Sequence, residues 1–294
     1  TTEFDPFSAN TLELVLPTLA VGSFIAVAAI VTTRPSATAL AAYAVASLID
    51  AAVVVVFLPI ALVRATGRAP RAASDWPGRV ADRYRHVGPV VGHYAAAKCR
   101  QDPLVEHLPE LFEGRERVWV VGCGYGIMST RIIESCPGVR LRAIDVDGRK
   151  VEVLRAVLRD VPRVEVEIGD VRDHPHGEET FDVALLVDVL HYWSAEQQES
   201  IVEAVVQRLA PGGRLILRDG CAKNDDLRGG EANGVARGER IARALGFTRD
   251  FGAFHFRSAS GWGELLSRHG LRVERIEPEW GTHSNVVWVA RRDS

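Results

Sequence analysis

Arg117-Val118-Trp119-Val120-Val121-Gly122-Cys123-Gly124-Tyr125-Gly126 decides the fold. Arg117–Val121 is a short, β-branched and aromatic run that reads as a strand. Three glycines then follow at alternate positions. Glycine lets the chain turn tightly and lets a ligand approach bare backbone, here at a helix N-terminus that favours anionic groups. The spacing discriminates between ligands. A dinucleotide fingerprint is G-x-G-x-x-G/A, but Ile127 stands at its third glycine position. A phosphate P-loop is excluded as well, because no G-K-[ST] follows.

Downstream of this loop the pattern alternates. Strand-like runs are Arg140–Ile144, Val164–Ile168, Phe181–Val187 and Arg214–Leu217, with helical stretches between most of them. Ala195–Leu209 reads as one of these helices. Ser194 is its N-cap, Gln197 completes a capping box, and Pro211-Gly212-Gly213 ends it. Strands alternating with helices imply a parallel α/β sheet. From Arg79 to Phe112 helices are expected, with breaks at Gly88-Pro89 and Asp102-Pro103.

Acids stand at the strand ends. Asp145 closes the second strand, and an acid there can accept hydrogen bonds from both hydroxyls of a ribose. The third strand ends in Ile168-Gly169-Asp170-Val171, where Asp170 can accept from an exocyclic amine and Val171 can cover a base. The fourth leads into Asp188-Val189-Leu190-His191. Each acid alone is equally a turn residue or a helix cap; the ordered set points to a nucleotide pocket.

With these motifs in this order, residues 115–290 resemble the class I S-adenosylmethionine-dependent methyltransferase family. The resemblance implies an α/β, Rossmann-like seven-stranded methyltransferase sheet with helices on both faces, its last two strands an antiparallel hairpin. Leu271–Ile276 and Asn285–Ala290 fit those two strands. It implies S-adenosyl-L-methionine as cofactor, with Gly122, Cys123, Gly124 and Gly126 at the methionine end. Asp145 and Val146 would hold the ribose, Asp170 and Val171 the adenine, and Asp188 would touch the amino-acid part. The family often has an acid two residues before the first glycine, where this chain has Val120.

The first quarter differs in kind. Leu14–Val31 carries no charge, and Ala37–Val63 only Asp50. At about 1.5 Å per helical residue, about 20 residues cross a bilayer core. Both runs reach that length, and Thr32–Ser36 between them reads as a turn. An all-α hydrophobic hairpin over residues 1–64 is therefore expected to precede the sheet. Residues 65–78 then form a linker and residues 79–294 the methyltransferase domain. A signal peptide fits poorly, since Glu3 and Asp5 lead the first run and no Lys or Arg does. Arg64, Arg68, Arg71 and Arg79 flank the second run, so the positive-inside rule puts the catalytic domain on the cytoplasmic face of the cell membrane. A buried hairpin or a homodimer interface explains the same runs. Asp50 argues mildly against insertion, because a central carboxylate costs about 2.5–3.5 kcal/mol.

Composition narrows the function. The chain of 294 residues has a formal net charge of −3 and a pI near 6.3, which does not suit a broad nucleic-acid footprint. No nucleic-acid partner is expected. Its four cysteines are widely spaced and match neither a disulfide framework nor a metal site. His191 is the candidate catalytic base; a packing histidine is the rival reading. Tyr192 and Trp193 are candidate walls of an apolar acceptor site. His255, between Phe254 and Phe256, is a weaker base candidate and reads better as packing. Tyr94 and Lys98, four apart on one helical face, are candidates to line the site. Cys221 to Phe254 reads as a lid or a substrate-recognition insert. The expected function is methyl transfer to a hydrophobic or lipid-like small molecule at the membrane. The alternatives are a non-catalytic S-adenosylmethionine-binding membrane scaffold, and a soluble small-molecule methyltransferase whose hairpin dimerises.

Overall fold

The structure is a computed structural model that describes residues 75–114, 116–173, 179–222, 252–277, 280 and 285–293. The two apolar runs, Asp50 and most of the Cys221–Phe254 insert lie outside them. Among the described residues no helix is long and apolar enough to cross a membrane.

Among the described residues three α-helices come first: α1 (Trp76–Tyr84), α2 (Pro89–Gln101) and α3 (Pro103–His107). Breaks fall at Gly88-Pro89 and Asp102-Pro103, as the sequence implies. The expected linker, however, is too long by three residues. Asp75 accepts a hydrogen bond from the Gly78 N–H at 3.0 Å, and Pro77 sits in the first turn. A proline there starts a helix as readily as it marks a linker.

Strands and helices then alternate: β1 (Arg117–Val121), α4 (Ile127–Ser135), β2 (Arg140–Asp145), α5 (Gly148–Val157), β3 (Val164–Ile168), β4 (Phe181–Val187), α6 (Ala195–Gln207), β5 (Leu209–Gly220), α7 (Ala259–Arg268), β6 (Leu271–Glu277) and β7 (Asn285–Arg292). Ser194 and Gln197 form the capping box of α6. That helix stops two residues short of expectation. Leu209 instead opens β5 and pairs with Phe181, and the Pro211–Gly213 segment falls at a register shift inside the strand.

The seven strands form one sheet in the order β3-β2-β1-β4-β5-β7-β6. All pairings are parallel except those of β7, which runs antiparallel to both β5 and β6. The central strands are buried on both faces, which explains their near-continuous apolar sequence. Alternate residues serve two cores. Val118, Val120, Val183, Leu185 and Val287 face α1–α5, whereas Trp119, Val121, Ala184, Leu186 and Trp288 face α6 and α7. The strand order reverses between β1 and β4. In an open α/β sheet ligands bind at that switch point, beyond the carboxyl ends of the strands.

Gln198 on α6 ties this end of the sheet together. It is buried, and its side-chain nitrogen lies 2.9–3.0 Å from the carbonyls of Leu190, Trp193 and His255. Its oxygen accepts from Arg257 Nε at 2.6 Å. Replacing it leaves carbonyls unpaired at about 1–3 kcal/mol each. Gln198→Leu is therefore expected to lower unfolding stability by about 2–4 kcal/mol in urea titrations, and a loss below about 0.5 kcal/mol contradicts this reading.

Candidate active site

A cavity of about 270 Å³ opens at the switch point. The loops after β1, β2, β3 and β4 supply most of its wall. Gly122, Cys123, Gly124, Gly126, Asp145, Val146, Asp170, Val171 and Asp188 all line it. The structure thus brings together the nine residues that the sequence assigned to the cofactor. Tyr94 and Lys98 on α2 line it too, as do Tyr192 and Trp193.

The glycine loop is shaped by conformation and by close packing. Gly122, Gly124 and Gly126 all have positive φ. A Cβ at Gly126 would lie 2.1 Å from Leu154 Cδ1, whereas one at Gly124 would meet nothing within 4 Å. Gly126 therefore lets α4 settle on α5, and Gly124 keeps bare backbone at the cavity. Asp145 holds this conformation. Its carboxylate accepts from the Gly124 N–H at 2.7 Å and from the Asp147 N–H at 2.8 Å. A carboxylate has about four acceptor positions, so a ribose can still be met. From the other side, the buried Tyr84 hydroxyl donates to the Tyr125 carbonyl at 3.0 Å.

The surroundings of Asp170 are more complex than the sequence suggested. Arg172 binds both oxygens of Asp170, at 2.9 and 2.5 Å, and its guanidinium lies 4.3 Å from the Trp193 ring centroid. Burial opposes the Asp170 charge, but the Arg172 bonds outweigh it and keep the carboxyl below its usual range.

Below the β4 end lies a cluster of buried charge. Arg218 on β5 is fully buried and bonds Asp102 at 2.5 and 2.8 Å. The same guanidinium bonds both oxygens of Asp188, one of them at 3.0 Å. Lys98 Nζ lies 2.8 Å from Asp102. Asn285 donates to Asp188 at 3.0 Å. The four charges cancel. Burial works against both carboxylates, yet Arg218 and Lys98 hold Asp102 and Asp188 below the ordinary range. Burial and Arg218 also work against Lys98, but Asp188 and Asp102 raise it above its usual value. Asp188 has a positive φ of 59°, a costly backbone state for a residue other than glycine.

His191 is fully buried and does not line the cavity. Its Nδ1 lies 2.6 Å from Asp219 Oδ1, and its backbone N–H donates to Asp219 Oδ2 at 3.1 Å. Tyr192, which does line the cavity, packs on the imidazole with centroids 4.2 Å apart. Phe256 stacks on the same ring at 5.4 Å. The packing role expected of His255 is not what the structure shows: its side chain is exposed, and only its backbone is tied in, donating to the His191 carbonyl at 2.8 Å. Arg172, Arg218, Asp102 and Asp219 were not anticipated. One signal was present: the charged pair Arg218-Asp219 directly follows the apolar run Leu215–Leu217.

Residues 118–213 match the family described as a methyltransferase domain. A tRNA (carboxymethyluridine(34)-5-O)-methyltransferase of Saccharomyces cerevisiae is 26% identical over 135 residues, 46% of this chain and 45% of that protein. The apo structure of the S-adenosylmethionine-dependent methyltransferase SibL superposes with a TM-score of 0.56 at 20% identity, covering 70% of this chain and 58% of that one. The pyocyanin biosynthetic protein PhzM does so with a TM-score of 0.52 at 21% identity, covering 69% and 58%. The chain thus spans about half the length of the relatives it matches, and at these identities the solved structures establish the fold alone. Residues 118–213 thus match a methyltransferase domain, and the structure around them has the fold of S-adenosylmethionine-dependent methyltransferases.

Two predictions follow from this geometry. Gly126→Ala drives a methyl group into Leu154 and is expected to destabilise the fold by more than 2 kcal/mol, at the order of a strained backbone plus an overpacked core. Gly124→Ala is expected to cost only about 1–2 kcal/mol of stability while weakening cofactor binding. Thermal melts with and without cofactor read both, and equal loss of stability in the two variants would count against the division of roles. The second concerns pH. Carboxyls depressed in the folded state stabilise it fully above their unfolded pKa, near about 4, and less as pH falls through the folded value. Unfolding stability should therefore drop below about pH 4; stability that holds or rises there would contradict the charge cluster.

Proposed function

We propose that the protein transfers a methyl group from S-adenosyl-L-methionine to a hydrophobic or lipid-like small molecule at the cytoplasmic face of the cell membrane. The observation that carries the enzyme reading is the convergence of the nine cofactor residues on one cavity with an aromatic wall beside it. The cofactor fits that cavity: backbone is bare at Gly124, acceptor oxygens are set at Asp145, and opposite charges stand at Lys98 and Asp188. When bound, it supplies an electrophilic methyl group on a sulfonium. The chain contributes alignment and exclusion of water, which are worth about 7–11 kcal/mol in a well-oriented reaction.

Tyr94, Tyr192 and Trp193 would receive the apolar part of the acceptor. His191 is the proposed base for an acceptor that arrives protonated. Asp219 as a carboxylate only accepts, so the proton sits on Nδ1 and Nε2 is the basic nitrogen. The acceptor gains access to it when Tyr192 is displaced. The apolar runs at 14–31 and 37–63 support the membrane location and the class of acceptor. The yeast relative is named for a tRNA. For this chain the balance of charge argues otherwise, since Arg83, Arg142, Arg155, Arg275 and Arg291 are each paired with an acid.

Burial of His191 favours a second reading, a tethered S-adenosylmethionine-binding scaffold without turnover. One experiment separates the two: calorimetry with S-adenosylmethionine, followed by transfer of labelled methyl to a lipid extract. The wild type is expected to bind and transfer, Asp145→Ala to lose binding by about tenfold or more, and His191→Gln to bind normally but lose at least about 100-fold in kcat. Binding without any transfer supports the scaffold; no binding at millimolar cofactor refutes both. Transfer by a protein released from membranes without detergent points to the soluble form with a dimerising hairpin.

A further inference from the structure

The sheet has two edges, β3 and β6, and they are finished differently. An edge strand presents unpaired backbone groups that can pair with another chain. On β3, Arg155 reaches across from α5 and donates to the Val166 carbonyl, through Nε at 3.1 Å and Nη2 at 2.8 Å. Glu165 and Glu167 would also face each other in a two-fold antiparallel pair centred on Val166. That edge resists self-pairing.

Strand β6 is the opposite case. It reads Arg272-Val273-Glu274-Arg275-Ile276-Glu277, and among the described residues it pairs with β7 alone. Arg272, Glu274, Arg275 and Ile276 are exposed, Ile276 by 44%. The order of charges is its own complement when reversed. In an antiparallel pair of two β6 strands centred between Glu274 and Arg275, Arg272 stands opposite Glu277, Val273 opposite Ile276, and Glu274 opposite Arg275. Every cation then meets an acid, and each apolar residue meets an apolar one. A shift of one residue brings Glu274 or Arg275 against its own copy.

Such a pair needs opposed side chains on the same face, because a two-fold axis perpendicular to a sheet keeps each face on its own side. In a regular strand Val273 and Ile276 point to opposite faces. Here the register with β7 shifts between Val273 and Arg275, and the extra residue restores the match. Val273 and Ile276 stand opposite Ala290 and Trp288, on the α6–α7 face. Arg275 and Glu277 stand opposite Val289 and Val287, on the other face, and Arg272 stands opposite Arg291. Glu274 accepts from Arg291 Nε at 2.8 Å. Within the strand Arg272 bonds Glu274 at 3.1 Å and Arg275 bonds Glu277 at 2.6 and 3.0 Å. These pairs are solvent-exposed, so exchanging them for a partner's charges costs little.

We propose that β6 is a self-association surface, where two copies of this chain join edge to edge through residues 272–277 and continue one sheet across the dimer. The paired run is short and a bulge twists it, so the association is reversible. The two cavities fall at opposite ends of the joined sheet, and the proposal does not depend on what they bind.

The test is sedimentation equilibrium of the full chain in mild detergent, from about 1 to about 300 μM, the range of a weak interface. Wild type is expected to dimerise within that range. Glu274→Arg alone, or Arg275→Glu alone, sets like charges opposite each other at both symmetry-related positions and should weaken self-association by about tenfold or more. An equimolar mixture of the two variants restores opposite charges and should associate as wild type does, which a misfolded variant could not. The proposal is overturned by a wild type that stays monomeric throughout, or by a mixture that associates no better than its components. It is equally overturned by single variants that dimerise as tightly as wild type, the result expected of a dimer formed through residues 1–64.

Discussion

The site depends on one guanidinium. Arg218 lies in β5 with no exposed surface, and it holds Asp102 from the N-terminal helices and Asp188 from the end of β4. Removing one partner of a buried ion pair costs about 3–5 kcal/mol, because the remaining charge has no solvent to stabilise it. Here the loss of Arg218 would leave one cation, Lys98, beside two carboxylates. That energy is what keeps Asp188 in a left-handed backbone state and keeps the start of α3 pinned to the sheet. That clamp positions Asp188 at the β4 end of the cavity.

A second ion pair organises the opposite end. Arg172 satisfies Asp170 and lies over Trp193. An adenine amine arriving at Asp170 must share the carboxylate with this guanidinium, which also links the adenine corner to the aromatic wall. The two corners differ in kind. The Arg218 cluster is buried and fixed by strands, whereas Arg172 and Asp170 are two residues apart in one short turn and partly exposed.

How much of this the sequence discloses follows from the range of each interaction. Strands β1 and β4 are legible because burial on both faces writes them as apolar runs, β3 because Val and Ile alternate with Glu, and the loop residues because they sit at fixed offsets from strand ends. The capping box of α6 is local and equally plain. Asp102 and Arg218 are 116 residues apart, and no spacing rule relates them. His191 and Asp219 pair across 28 residues for the same reason. Errors at element ends have local causes. Pro77 and the Pro211–Gly213 segment carry turn chemistry that tertiary context put to other uses, one inside a helix start and the other within a strand. Position 191 reads equally as a base or as a packing histidine, and only the fold reveals that it is buried against Asp219, Tyr192 and Phe256.

The N-terminal helices are therefore part of the site and not merely a cover for the sheet. Tyr84 reaches from α1 to the loop carbonyl at Tyr125, Lys98 reaches from α2 to the β4 acid Asp188, and Asp102 just beyond α2 reaches Arg218 on β5. Arg131 on α4 bonds the Val105 carbonyl at 3.1 Å and stacks under Trp76 at 3.8 Å, which locks the same layer to the helix that follows the glycine loop. A ligand that binds only the assembled pocket stabilises whatever assembles it, by an amount set by its concentration relative to its Kd. The cofactor must then stabilise α1 and α2 as well as the strand-end loops.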